Sequence, residues 1–269
     1  MVGVLVPTRR YLMSNLKGRF VWYDLMTTDP KAAQSFYTKA IGWTTEKFAG
    51  PSTMDYTMWK TARAPIGGVM QLPEEAVKMG APPHWLAYIG TPDIVATVAQ
   101  ATELGAKVYV PTTDIPTVGQ FAVLADPQGA AFAVFQPSME QPGGDGTGLG
   151  EFSWHELYTT DPVAAYTFYS TLFGWEKTNA MDMGQMGTYQ MYGQAGKSYG
   201  GIMKKPEAMP VAAWNLYANV DSADFAANRI RELGGKVVMG PMDVPTGGRI
   251  VMALDPQGAA FAVYADVKK

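Results

Sequence analysis

Hydrophobic and polar positions follow two different periods along this chain, and each change of period marks an element. Phe20–Thr27 is rich in aromatic residues and predicts a strand. Asp29-Pro30 follows as an N-cap and first-turn proline. Ala33, Phe36, Tyr37 and Ala40 then recur at helical spacing until Gly42 stops the helix. Short strands are predicted near 56–60 and 68–72. The order then restarts with a strand at 85–89 and an alanine-rich helix over 93–104 closed by Gly105. Two further strands, 121–125 and 130–136, flank a tight Asp-Pro-Gln-Gly turn. The unit is a βαβββ module taken twice, which makes an α+β fold.

The whole pattern then repeats. Phe20-Val-Trp-Tyr-Asp-Leu-Met-Thr-Thr-Asp-Pro30 returns 132 residues later as Phe152-Ser-Trp-His-Glu-Leu-Tyr-Thr-Thr-Asp-Pro162. Phe36-Tyr37 and Gly42-Trp43 answer Phe168-Tyr169 and Gly174-Trp175. Gly67-Gly68 answers Gly200-Gly201, and Asp126 to Val134 recurs letter for letter at Asp255 to Val263. So many matches in one order signal duplication. The glycine- and proline-rich stretch 137–150 predicts a flexible linker. The expected organisation is an N-terminal extension (1–18), a first domain (19–136), the linker (137–150) and a second domain (151–269).

Composition narrows the chemistry. A length of 269 residues suits two domains, and 47% hydrophobic with 17% charged residues describes an ordinary globular protein. The net charge of -3 offers no basic stripe for nucleic acid, and the longest apolar runs are far short of the ~20 residues that span a bilayer. Met1 to Val6 is apolar but short and precedes Arg9 and Arg10, the reverse of secretory-signal order, so a cytoplasmic location is expected. There is no cysteine, which excludes disulfides and thiolate chemistry, and the histidines number two, His84 and His155.

The module order, with Phe-Tyr and Gly-Trp after the first strand and Asp-Pro-x-Gly before the last, resembles the vicinal oxygen chelate superfamily (glyoxalase, bleomycin resistance, dioxygenase). The similarity is strongest to its tandem two-domain, hydroxylase-labelled subgroup and covers roughly 18–136 and 150–266. The resemblance implies mixed sheets curled into cups, many of which hold a divalent metal. It places metal ligands on the first and fifth strands, commonly as histidine, and on the last strand as glutamate. Those positions fall here on Trp22, Leu86 and Ala133, and on Trp154, Asn215 and Ala262. Neither indole nor methyl ligates, so no metal and no cofactor is expected.

Strand alternation puts Asp24 beside Trp22 and Glu156 beside Trp154 on each cup face. A carboxylate among aromatics is a candidate acid or base, while a purely structural hydrogen-bonding role explains it as well. The other expected lining residues are Trp59 (or Met58), Tyr88 and Phe135 in the first cup. In the second they are Tyr192 (or Met191), Asn215, Tyr217 and Tyr264. Aromatic and methionine walls suit a small aromatic or hydrophobic ligand. His155 alternates away from the cup into a packing or interdomain role, and His84 falls at a rim. The expected partner is a small molecule, with neither nucleic acid nor membrane. The assembly is either a monomer closed by pseudo-twofold domain pairing or a homodimer.

Overall fold

The structure is a computed structural model that describes residues 16–50, 55–139, 146–245 and 247–266. Most of the expected N-terminal extension and the middle of the expected linker lie outside those residues. Each half builds one eight-stranded sheet. In the first, β1 (Phe20–Thr27) and β5 (His84–Gly90) run antiparallel at the centre. Around them lie β2 (Thr44–Lys47), β3 (Thr57–Lys60), β4 (Pro65–Gln71), β6 (Lys107–Ile115), β7 (Gly119–Ala125) and β8 (Ala131–Pro137), in the order β2-β3-β4-β1-β5-β8-β7-β6. β1 pairs in parallel with β4, and β5 with β8, so each βαβββ module contributes four strands. Strands β9 (Phe152–Thr159) to β16 (Ala260–Ala265) repeat the order, with β13 (Ala213–Asn219) beside β9 and β12 (Lys197–Lys204) on its other edge. The two edge strands β2 and β6 complete the predicted modules where the pattern left gaps.

The helices form where the caps foretold. In α1 (Pro30–Ala40) the Asp29 side chain accepts from the Ala32 N–H, Pro30 occupies the first turn, and Ala33, Phe36, Tyr37 and Ala40 are buried. A short α2 (Glu74–Lys78) and α3 (Ile94–Glu103) follow in the first half; α4 (Pro162–Phe173) and α5 (Ala223–Glu232) are the main helices of the second. Gly174, at φ 75°, ends α4 in the left-handed conformation that a side chain would strain.

The repeated motifs meet at the junction of the two halves. Tyr37 Oη donates to Asp255 Oδ2 (3.1 Å) and, reciprocally, Tyr169 Oη donates to Asp126 Oδ2 (3.0 Å). Trp43 Nε1 donates to the Gly150 carbonyl (2.8 Å) and Trp175 Nε1 to the Gly18 carbonyl (2.7 Å). α1 packs on α5 and α3 on α4, and Phe36 meets Phe261 edge-on as Phe132 meets Phe168. One apolar core therefore runs through both halves, and the chain pairs its copies about a pseudo-twofold axis. The described end of the linker region is tied in: Asn219 Nδ2 donates to the Gly146 and Gly148 carbonyls.

His155 belongs to this junction. Its ring stacks on Phe20 with centroids 3.7 Å apart, Nδ1–H donates to the Tyr199 carbonyl (2.9 Å), and Nε2 accepts from Tyr23 Oη (2.7 Å). The carbonyl fixes that tautomer. Burial drives the imidazole pKa down to about 3 and keeps the ring neutral.

Candidate functional site

The face of each sheet turned away from the helices carries the candidate site. On β1, Asp24 stands between Gly68 of β4 and Leu86 of β5, and Trp22 beside Tyr88. The Asp24 carboxylate, 5% exposed, is held from several sides. Tyr56 Oη donates to Oδ1 at 2.6 Å, Trp22 Nε1 to Oδ1 at 3.0 Å and Tyr88 Oη to Oδ2 at 2.8 Å. Trp22 Nε1 also donates to Tyr56 Oη (2.7 Å). Burial pushes the Asp24 pKa up, while these bonds and one from the Gly68 backbone pull it back.

The second half keeps the plan with different side chains. Glu156 pairs across β9 with Gly201 and Asn215. Tyr217 Oη donates to Glu156 Oε2 (2.7 Å), and Trp154 Nε1 donates to Tyr189 Oη (2.7 Å). Burial and the Glu156 charge raise the Tyr158, Tyr189 and Tyr217 hydroxyls well above ordinary phenol, so all three remain donors. Tyr158 Oη reaches the Met252 sulfur at 3.8 Å, across β13 and β16.

Each glycine pair has a defined task. A methyl group on Gly67 or Gly200 would overlap the carbonyl oxygen of Tyr23 or His155 on the neighbouring strand. On Gly68 or Gly201 it would overlap the ring of Tyr56 or Tyr189, each of which rests against its glycine. Close strand approach therefore accounts for the first glycine of each pair, and a seat for a tyrosine ring accounts for the second.

Of the expected lining, Trp22, Asp24, Tyr88 and Phe135 share the first cup face, and Trp154, Glu156, Asn215 and Tyr217 the second. Two placements are corrected. Trp59 is fully buried among Tyr37, Trp43 and Trp85, and Tyr192 stacks on Trp175 at 4.3 Å, so both belong to the shared core. Their neighbours Met58 and Met191 take the cup face, because each pairs with the glycine beside the carboxylate (Gly68 and Gly201). Tyr264 stands at the edge of its cup face, with its ring on Gly248 and its hydroxyl donating to Asp266 (2.6 Å). Sequence reasoning missed Tyr56, Tyr189 and Tyr158. Period-two alternation from Met58 and Met191 marks the first two, and the paired glycines signal that a ring lies above them. His84 sits at the start of β5, its Nδ1–H donating to the Pro82 carbonyl (2.7 Å).

Of the positions that the resemblance assigns to metal ligands, Asn215 alone carries an oxygen able to ligate, and Leu86 offers only hydrocarbon. Ala133 and Ala262 lie beside Tyr88 and Tyr217 without a donor atom, and the two indoles are hydrogen-bond donors only. Among the described residues no three His, Asp or Glu side chains converge as a metal cluster.

Two eight-stranded sheets of paired βαβββ modules, backed by helices and open on the other face, define a class of two-domain cup protein. The chain belongs to the Glyoxalase/Bleomycin resistance protein/Dioxygenase superfamily, whose profile matches residues 151–263, while a glyoxalase-like domain profile matches residues 21–135. It is 32% identical over 243 residues to "Putative glyoxylase CFP32" of Mycobacterium tuberculosis, covering 90% of this chain and 92% of that protein. It is 30% identical over 259 residues to the anthracycline biosynthesis protein DauV of Streptomyces sp. (strain C5), covering 91% and 92%. Among solved structures, the Mn(II)-bound glyoxalase of Novosphingobium aromaticivorans superposes with a TM-score of 0.63 at 15% identity, covering 94% of this chain and 83% of that one. The 2,3-dioxygenase LapB of Pseudomonas sp. KL28 gives 0.65 at 12%, covering 94% of each. At such identities these two superpositions establish the fold alone. No helix among the described residues is long and apolar enough to cross a membrane.

Proposed function

We propose that this protein binds a small aromatic or hydrophobic molecule in a cup without a metal ion, by stacking among tyrosine, indole and methionine side chains. The observation that carries the reading is the floor itself. The carboxylates Asp24 and Glu156 accept from aromatic hydroxyls, and the positions that serve as ligands in metal-using kin are tryptophan, alanine, leucine and asparagine. A surface of aromatic edges, thioethers and a few convergent polar atoms is what a flat organic ligand requires. The relationship to a protein named for anthracycline biosynthesis supports an aromatic ligand. Calorimetric titration with planar aromatic compounds, before and after treatment with a chelator, tests this. Binding unchanged by chelation is expected; stoichiometric transition metal in the purified protein, with binding lost on its removal, overturns the reading.

A second reading rests on the same carboxylates. The Asp24 carboxyl holds its proton more tightly than a free one, and Glu156 is buried beside three phenols, so either is placed to move a proton on a bound ligand. Under that reading Asp24→Asn or Glu156→Gln abolishes turnover and leaves affinity nearly unchanged. Under pure binding neither variant reveals any turnover to lose.

A further inference from the structure

The two cups are copies, yet their floors have diverged in one direction. In the first, Leu86 stands beside Asp24 and joins Tyr88, Val123 and Phe135 in a buried apolar cluster. The counterpart of Leu86 is Asn215 and that of Val123 is Met252, which is half-buried where Val123 is buried. The first cup thus fills its floor with its own hydrocarbon. The second leaves a carboxamide there.

That carboxamide is unusual for its depth. Asn215 is 5% exposed, and neither its Oδ1 nor its Nδ2 has a hydrogen-bond partner. Its strand neighbours Trp214 and Leu216 point into the shared core, and its cross-strand partner is Glu156, so the amide points to the cup face. A buried amide with both ends unpaired is costly, and native chains keep such groups where something else pairs them. The side chains over this floor are Tyr158 and Met252, joined by one long contact to a thioether, which is a weak acceptor. Both are half-buried, and the Met252 thioether is flexible enough to take another position.

We infer that the second cup is the binding cup and that Asn215 selects ligands whose flat ring carries an adjacent donor and acceptor, such as a lactam or cyclic imide edge. This rests on the aromatic-binding reading above. A carboxamide offers one acceptor and two donors in a plane, so a cis N–H/C=O edge closes two hydrogen bonds with it while the ring lies among Trp154, Tyr189 and Met191. A ring lacking the donor leaves Oδ1 unpaired. In the first cup Leu86 makes no such distinction.

The test is calorimetric titration of the full chain with phenanthridin-6(5H)-one, a planar lactam, and with its N-methyl derivative, which lacks the donor. The wild-type protein is expected to prefer the lactam at least tenfold. In Asn215→Leu, which installs the residue the first half already carries, the preference collapses to under twofold and the N-methyl compound keeps its affinity. Asn215→Ala gives the same collapse should the leucine variant fail to fold. If the wild type binds neither compound, the aromatic-cup reading falls and takes this inference with it. If it binds both and the preference survives in Asn215→Leu and Asn215→Ala, the cup stands but Asn215 is not its selector.

Discussion

His155 has no polar solvent contact to fall back on: it is 5% exposed, stacked on Phe20, and bonded through both nitrogens. Its pKa in the fold is about 3 against 6.5 when free, so the unfolded chain takes up a proton below pH 6.5 that the folded chain refuses. The stability that the neutral ring confers is complete above pH 6.5 and is lost as pH falls from there toward about 3, by up to ~1.4 kcal/mol per pH unit. Asp24, Asp126 and Asp255 act in the opposite sense. Burial raises their pKa values, so ionising them as pH rises through those values weakens the fold. Comparison with His155→Gln, whose amide can replace both hydrogen bonds without titrating, cancels that shared background. Denaturant unfolding at pH 7 and pH 5 is expected to show the wild type losing more stability than the variant; equal losses refute the assignment. At this scale His155 was readable from strand alternation alone. The choice between Met58 and Trp59, or Met191 and Tyr192, was not, because adjacent strand residues point to opposite faces and both members of each pair are apolar.

Among the elements, β4 and β12 show how a strand can be specified by what it omits. Gly200 admits the backbone of β9, and Gly201 admits the Tyr189 ring. A strand carbonyl cannot swing aside, whereas a ring on a half-open face can. Gly200→Ala is therefore expected to destabilise the protein by clearly more than the ~1–3 kcal/mol typical of overpacking, and Gly201→Ala by about that amount. Guanidinium unfolding of both variants checks the order, and a milder Gly200→Ala would contradict the packing described. The caps were plain in the sequence, since Asp29 and Asp161 each accept from backbone N–H groups of the first turn they precede. The exposed edge strands β2 and β6 were not, because every residue of β2 faces solvent and no apolar alternation marks it.

For the whole molecule, the motifs that carry the family resemblance serve the junction between halves rather than the cups. Tyr37 accepts from Trp85 Nε1 (3.0 Å) while donating to Asp255, and Tyr169 does the same with Trp214 (3.3 Å) and Asp126. Tyr37→Phe strands a buried carboxylate oxygen and an indole N–H at once, for which ~1–3 kcal/mol is the expected loss. Tyr169→Phe is expected to match it within ~0.5 kcal/mol, because the contacts are reciprocal. Thermal unfolding of the two single variants measures this, and a loss confined to one of them would contradict the pseudo-twofold pairing. Duplication, module order and helix caps are local or periodic features, and they stand in the amino-acid string because propensity and side-chain period act over a few residues. Which face each aromatic takes, the pairing of Tyr37 with an aspartate 218 positions away, and the isolation of the Asn215 amide depend on strand register and on the meeting of distant segments. Those are settled by packing across the folded chain, which no short stretch of sequence encodes.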